Sequence, residues 1–399
     1  MKKLIGTVAV AALLATAAFA ELNIGAGYNH GIWNLFFLEK EGDADAKISM
    51  EVGAPWLHWN NGVRTGVSFS GAGENIGFVL DIKGDGGNIA VNDNTYVWAK
   101  PWEWLEIRAG SWYGDALKSA QSYGIRGSRR LGLGHHETTT FARISSDGNY
   151  DAPIAGALLA ITPIEGLFIG AGFDIDNGYG STKSYEYADE KVTEKNETNP
   201  KRKIEDVFKD SQYAVGYTIA DLLAIKAQYI GGATAGIFGI GDSSDDLKGT
   251  INAGVDLLML EGMKIGIGAF IPLEEDSRMS FAATFDGGFD ELSVNAYVGA
   301  EIARAKVDYH GIEAGVGLGY DLGNGIGLNG DLRYRIDLPT SDNKVNGDKV
   351  DATNEVTVGF FVSKGMSNGA IALGVEGDFK FGGEKYIGVA VPLSIQCGF

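Results

Sequence analysis

Cysteine is almost missing from this chain: Cys397 is the one thiol, so an internal disulfide framework is excluded. Its place among apolar residues of alternate parity makes it a small hydrophobe, since a catalytic thiol needs a polarising neighbour. Proline is scarce, at 8 residues of 399. Beyond residue 20 no apolar run approaches the roughly 20 residues that a membrane-spanning helix requires. That excludes a helical membrane protein. A hydrophobic period near 3.6 is also absent, so helices are expected to be few. Positive charge is in deficit, with 33 Lys and Arg against 52 Asp and Glu, a net −19. Nucleic-acid binding wants a basic face and is excluded on that ground.

Catalytic and metal motifs are thin. His135-His136-Glu137 invites a metal reading. Adjacent histidines on a strand point to opposite faces, however, and no third ligand is spaced to join them. A glycine-rich loop or an external loop tip is the better account. Gly71-x-Gly73 and Gly315-x-Gly317-x-Gly319 open no helix and are not phosphate loops. Gly66-Val67-Ser68-Phe69-Ser70 fails G-x-S-x-G at its last position. No catalytic residue, cofactor or metal is expected, and the chain reads as a non-enzyme.

What is present begins at the N-terminus. Lys2 and Lys3 precede an apolar run from Leu4 to Ala18, and Ala18-Phe19-Ala20 is a small-x-small cleavage site. Residues 1–20 therefore read as a secretory signal peptide, with 21–399 as a single domain. Removing Lys2 and Lys3 takes the net charge from −19 to −21. Glycine is abundant at 59 residues, roughly double the usual share. It would be costly in helices but suits strands that bend and close.

The main signal is a period of two, repeated from end to end. In 326–337, Ile326, Leu328, Leu332, Tyr334 and Ile336 alternate with Asn329, Asp331, Arg333, Arg335 and Asp337. In 312–322, Ile312, Ala314, Val316, Leu318 and Tyr320 oppose Glu313 and three glycines. The last stretch sets Val389, Val391, Leu393, Ile395, Cys397 and Phe399 against Gly388, Ala390, Pro392, Ser394 and Gln396. Runs of about 10 residues suit tilted strands that cross a bilayer. Connections alternate between short turns and longer polar stretches such as 176–210, 231–246 and 339–353. Aromatics such as Tyr96, Trp98, Trp102, Trp104, Tyr320 and Phe381 sit near run ends, where interfacial girdles belong. The pattern predicts an all-β, transmembrane, antiparallel up-and-down β-barrel of about 18–20 strands, within a range of 16–22.

If the apolar parity meets lipid, the other parity lines the bore. The pore-lining candidates are Arg64, Asp81, Arg108, Arg143, Asp174, Lys226, Asp256, Lys264, Glu301, Asp331, Arg333, Arg335, Glu376, Asp378 and Lys380. Charges of both signs facing water are the lining of a diffusion pore; in a plugged barrel they would only satisfy one another. Arg126, Arg129 and Arg130 lie in an irregular stretch, 119–134, that is either a bore-narrowing loop, a plain external loop or one more strand.

Signal peptide, repeated amphipathic strands, short–long alternation and a terminal Phe399 together resemble the Gram-negative outer-membrane porin class. The acidic, glycine-rich cast also looks somewhat like spirochaetal major outer-sheath or variable surface proteins. The porin resemblance implies that Phe399 serves as an assembly signal read by the barrel-assembly machinery. It implies outer-membrane lipid and small hydrophilic solutes as partners, and a homotrimer as the assembly. The expected function is passive diffusion of small hydrophilic solutes or ions. The alternatives are a surface-exposed structural or adhesive antigen, and a barrel for hydrophobic solutes.

Overall fold

In a computed structural model the described residues are 21–40, 47–52, 64–85, 88–112, 154–174, 181–188, 191–198, 208–209, 211–231, 249–258, 261–275, 277–304, 309–340, 344–345, 348–383 and 385–398. Arg126, Arg129, Arg130, Arg143 and Phe399 lie outside them. So does His135-His136-Glu137. The strands in chain order are β1 (Glu21–Lys40), β2 (Lys47–Val52), β3 (Arg64–Ala72), β4 (Ile76–Asp85), β5 (Asn88–Trp102), β6 (Leu105–Trp112), β7 (Ile154–Ile161) and β8 (Leu167–Asp174). Then come β9 (Ser181–Ala188), β10 (Lys191–Thr198), β11 (Gln212–Ile219), β12 (Leu223–Ile230), β13 (Thr250–Leu257), β14 (Met263–Pro272), β15 (Arg278–Phe289) and β16 (Leu292–Ala303). The chain finishes with β17 (Tyr309–Asp321), β18 (Ile326–Pro339), β19 (Lys344–Val345), β20 (Asp348–Lys349), β21 (Thr353–Met366), β22 (Gly369–Gly382) and β23 (Tyr386–Gly398).

Nineteen of these form one sheet in which all pairings are antiparallel and, β2 and β3 apart, strands that follow one another in the sheet's chain order pair. β9 with β10 and β19 with β20 make two small separate hairpins. The last strand pairs back onto the first: Gly27 to Lys40 of β1 run opposite Gly398 to Tyr386 of β23. On its other edge β1 carries β3 against Glu21–Asn29 and β2 against Trp33–Leu38. β2 and β3 are thus consecutive lengths of a single rung, and the round of pairings contains eighteen rungs. An even number returns both described chain ends to one end of the sheet. Residues 28–46 could hold one strand or two by alternation; 28–40 belong to the single strand β1, and 41–46 lie outside the described residues.

That same end holds only short turns, and the long connections lie at the other end, together with the short β4–β5 and β22–β23 connections. The reversals use residues that tolerate positive φ: Asp221 (φ 58), Asp290 (φ 52), and Gly323-Asn324-Gly325 (φ 80, 54 and 74). Gly287-Gly288 reads as a turn in sequence but falls inside β15, and the reversal comes at Asp290-Glu291. The glycine is used there for space, since a Cβ on Gly287 would stand 2.9 Å from the Phe285 ring. At Gly325 an added Cβ would stand 2.8 Å from the Gly365 carbonyl oxygen, on a backbone that L side chains rarely adopt. Gly325→Ala is expected to cost about 1–3 kcal/mol, read as a lower denaturant midpoint. Asn324→Gly should leave the midpoint unchanged.

Pro392 has no N–H to offer the ladder. The β22–β23 register holds from Gly369↔Cys397 to Lys380↔Tyr386 but has no pairing for Gly374 and Val375 opposite Pro392 and Val391. The partner β1 shifts register between Gly31 and Trp33, close to the same point.

The two faces of the sheet differ as the alternation predicts. Leu318, Leu332, Phe360 and Leu373 are each about half exposed, while their sequence neighbours Arg333 and Gly359 are buried on the opposite face. With the strands closed on themselves, the exposed apolar face is the outside and the polar face the inside.

Candidate functional site

On the inner face, cross-strand register stacks charge upon opposite charge. Glu313 of β17 lies opposite Arg335 of β18, Arg335 opposite Glu355 of β21, and Glu355 opposite Lys380 of β22. One step toward the short turns, Arg333, Thr357 and Asp378 form the next row, and Asp331, Gly359 and Glu376 the one after.

Arg335 is the hub. Its Nη2 lies 2.8 Å from Glu301 Oε2 and 2.7 Å from Asp337 Oδ1, and its Nη1 lies 3.4 Å from Glu313 Oε2. Arg333 donates to Glu355 Oε1, and its Nε is 3.8 Å from Glu313 Oε1. The Tyr297 hydroxyl of β16 donates to Glu313, Thr357 donates to Asp378 at 3.4 Å, and Lys380 Nζ is 3.7 Å from Glu355 Oε2. The network spans five neighbouring rungs. Glu301, Glu313 and Arg335 are each 1% exposed, a depth at which charges persist only when paired.

Glycines make the room. A Cβ on Gly311, between Glu301 and Asp337 in the register, would stand 2.7 Å from Arg335 Nη2 and 2.9 Å from Glu301 Oε2. A Cβ on Gly359 would stand 2.9 Å from Asp331 Oδ2. Long charged side chains therefore lie along the wall, over bare backbone of the neighbouring strand. This is one physical reason for a high glycine count on a polar face.

Nearer the short turns lies a second cluster. Lys226 of β12 and Lys264 of β14 flank Asp256 of β13, with Nζ–Oδ2 distances of 3.7 and 3.3 Å. Asp256 is buried, and both lysines keep contact with solvent. Beside them a cavity of about 590 Å³ is lined by Glu261, Lys264, Asp286, Ser293 and Asn295. Across the sheet, Arg108 of β6 bonds Glu106 at 2.6 Å and lies 4.3 Å from the Tyr96 ring centroid. Asp81 of β4 is half-buried, its main-chain N–H donating to Thr95 Oγ1 at 3.2 Å.

Of the sequence candidates, Glu301, Asp331, Arg333, Arg335, Glu376, Asp378 and Lys380 come together in the first cluster, and Lys226, Asp256 and Lys264 in the second. Asp81 and Arg108 stand apart. Arg64 and Asp174 have only their main chain described, in β3 and β8. Tyr297, Glu313, Glu355 and Thr357 were missed as site residues, although their parity marked the inner face. Their partnership needs cross-strand register, which alternation alone does not supply. No group of three or more His, Cys, Asp or Glu side chains among the described residues is arranged to hold a metal ion.

Strands closed in a ring, apolar without and titratable within, define a transmembrane, antiparallel up-and-down β-barrel. The chain is similar to OpdQ of Pseudomonas aeruginosa, at 11% identity over 95% of this chain and 98% of that one, with a TM-score of 0.52. It is similar to OccAB4 of Acinetobacter baumannii, at 9% identity with coverages of 95% and 98% and a TM-score of 0.51. The outer membrane protein OprD of Pseudomonas aeruginosa aligns with 96% of this chain and 94% of its own, at 10% identity and a TM-score of 0.47. At such identities the likeness concerns the fold. No family model matches the chain, and no curated protein matches it. The fold is that of the bacterial outer-membrane barrel.

Proposed function

We propose that the protein is an outer-membrane porin through which small hydrophilic solutes or ions diffuse passively. The observation that carries this reading is the inward display of titratable side chains on rungs all round the ring, from Asp81 and Arg108 through Lys226 and Lys264 to Lys380. A purely structural barrel has no need of solvated charge on its inside. The solvent-reached groups are proposed to line the path, and the buried Arg333–Arg335 network to hold one wall in shape. Export by removal of residues 1–20, insertion by the barrel-assembly machinery and trimeric assembly belong to the same proposal. Arg64, Arg143 and Asp174 are proposed as further lining residues, and Arg126, Arg129 and Arg130 as a constriction.

Purified protein added to a planar lipid bilayer should give stepwise current increments. Bilayers that stay silent, with protein shown by heat-modifiable migration to be folded, would overturn the pore reading.

A further inference from the structure

The outer face carries a recess of about 510 Å³ across β7, β8, β11, β12 and β13. Ala171 and Ala227 form its floor, and Leu159, Ile169 and Val215, each 40–47% exposed, rise around it. Toward the long-loop end it is closed by Tyr213 and Tyr229, cross-strand partners stacked at 6.2 Å with an interplanar angle of 26°. Both hydroxyls point away from the recess to the same short segment. Tyr213 donates to the Phe208 carbonyl and Tyr229 to the Lys209 carbonyl, each at 3.0 Å. Phe208 packs edge-on against Phe173 at 5.9 Å. The tyrosine pair thereby ties an exposed cation, Lys209, to the head of an apolar slot in a strongly acidic chain.

We propose that this recess is a binding site for one acyl chain of an anionic membrane lipid, whose phosphate headgroup meets Lys209. The division is that of the ligand: hydrocarbon in the alanine-floored slot, aromatic rings at the interface level, a cation beyond them. Tyr and Trp favour that boundary because one end of the side chain is apolar and the other wet. Charge complementarity selects an anionic head over a zwitterionic one. The slot lies on the convex side of a closed ring. A flexible chain enters such a recess, whereas a second rigid ring touches only its rims.

Native mass spectrometry of the full-length protein, released from detergent with matched-chain phosphatidylglycerol and phosphatidylcholine in competition, reads this directly. The wild type should retain phosphatidylglycerol roughly fivefold over phosphatidylcholine, the preference that one cation confers near an anionic surface. Lys209→Glu should erase the headgroup preference while keeping lipid. Ala171→Phe with Ala227→Phe should fill the slot and lose the tightly held lipid. Equal retention of both lipids by the wild type overturns the proposal, and so does undiminished retention by the filled variant. A concentration-dependent oligomer that the filled variant loses also overturns it, by making the face a contact between copies. Heat-modifiable migration confirms that each variant is folded, and Ala171→Phe alone serves if the double variant is not.

Discussion

Arg335→Met should be the most damaging single change on the inner wall, lowering the unfolding free energy by about 3–5 kcal/mol. The side chain is 1% exposed and answers three carboxylates, those of Glu301, Glu313 and Asp337. Removing it leaves those acids side by side with Arg333 as the nearest cation, and that guanidinium already answers Glu355. The loss comes from stranding buried charge more than from forfeiting attraction. It should therefore shrink when the charge goes too. Adding Glu301→Gln and Glu313→Gln to Arg335→Met should recover most of the stability. That non-additivity is the signature of a shared network. Denaturant-induced unfolding in lipid vesicles measures it. A shift below about 1 kcal/mol for Arg335→Met would show that the wall does not depend on the hub.

Leu332→Arg should cost about 2–4 kcal/mol, the depth-dependent penalty of a cation on the lipid face near mid-bilayer. Leu332 is 48% exposed and sits near the middle of β18, opposite Val316 on one side and Val358 on the other. Its chain neighbour Arg333 carries the same charge at no such penalty, because it faces inward among carboxylates. Leu332→Phe should be neutral in the same vesicle assay. An arginine tolerated at 332 as well as phenylalanine would mean that this face does not meet hydrocarbon.

Much of the molecule was legible in one dimension. Ile326 to Asp337 announced which of Leu332 and Arg333 would turn outward. The loop and turn ends could be told apart from connection lengths, and the gap at Pro392 from its missing N–H. Other features were not legible. Nothing in the spacing of Lys47–Val52 and Arg64–Ala72 says that they share one edge of the first strand. Nothing in Glu301 says that its partner is Arg335, on the next strand but one.

The sequence by itself determined the class of fold, the inside and the outside. Hydrocarbon leaves no backbone polar group unpaired, so strands must close on one another, and a period of two then assigns every side chain to lipid or bore. Only the tertiary structure decided the eighteen rungs and which charges neutralise which. It also decided that Gly311 lies bare beneath a guanidinium. Those depend on register across strands distant in the chain, where the preference for one partner over another is a sum of contacts that no single strand contains.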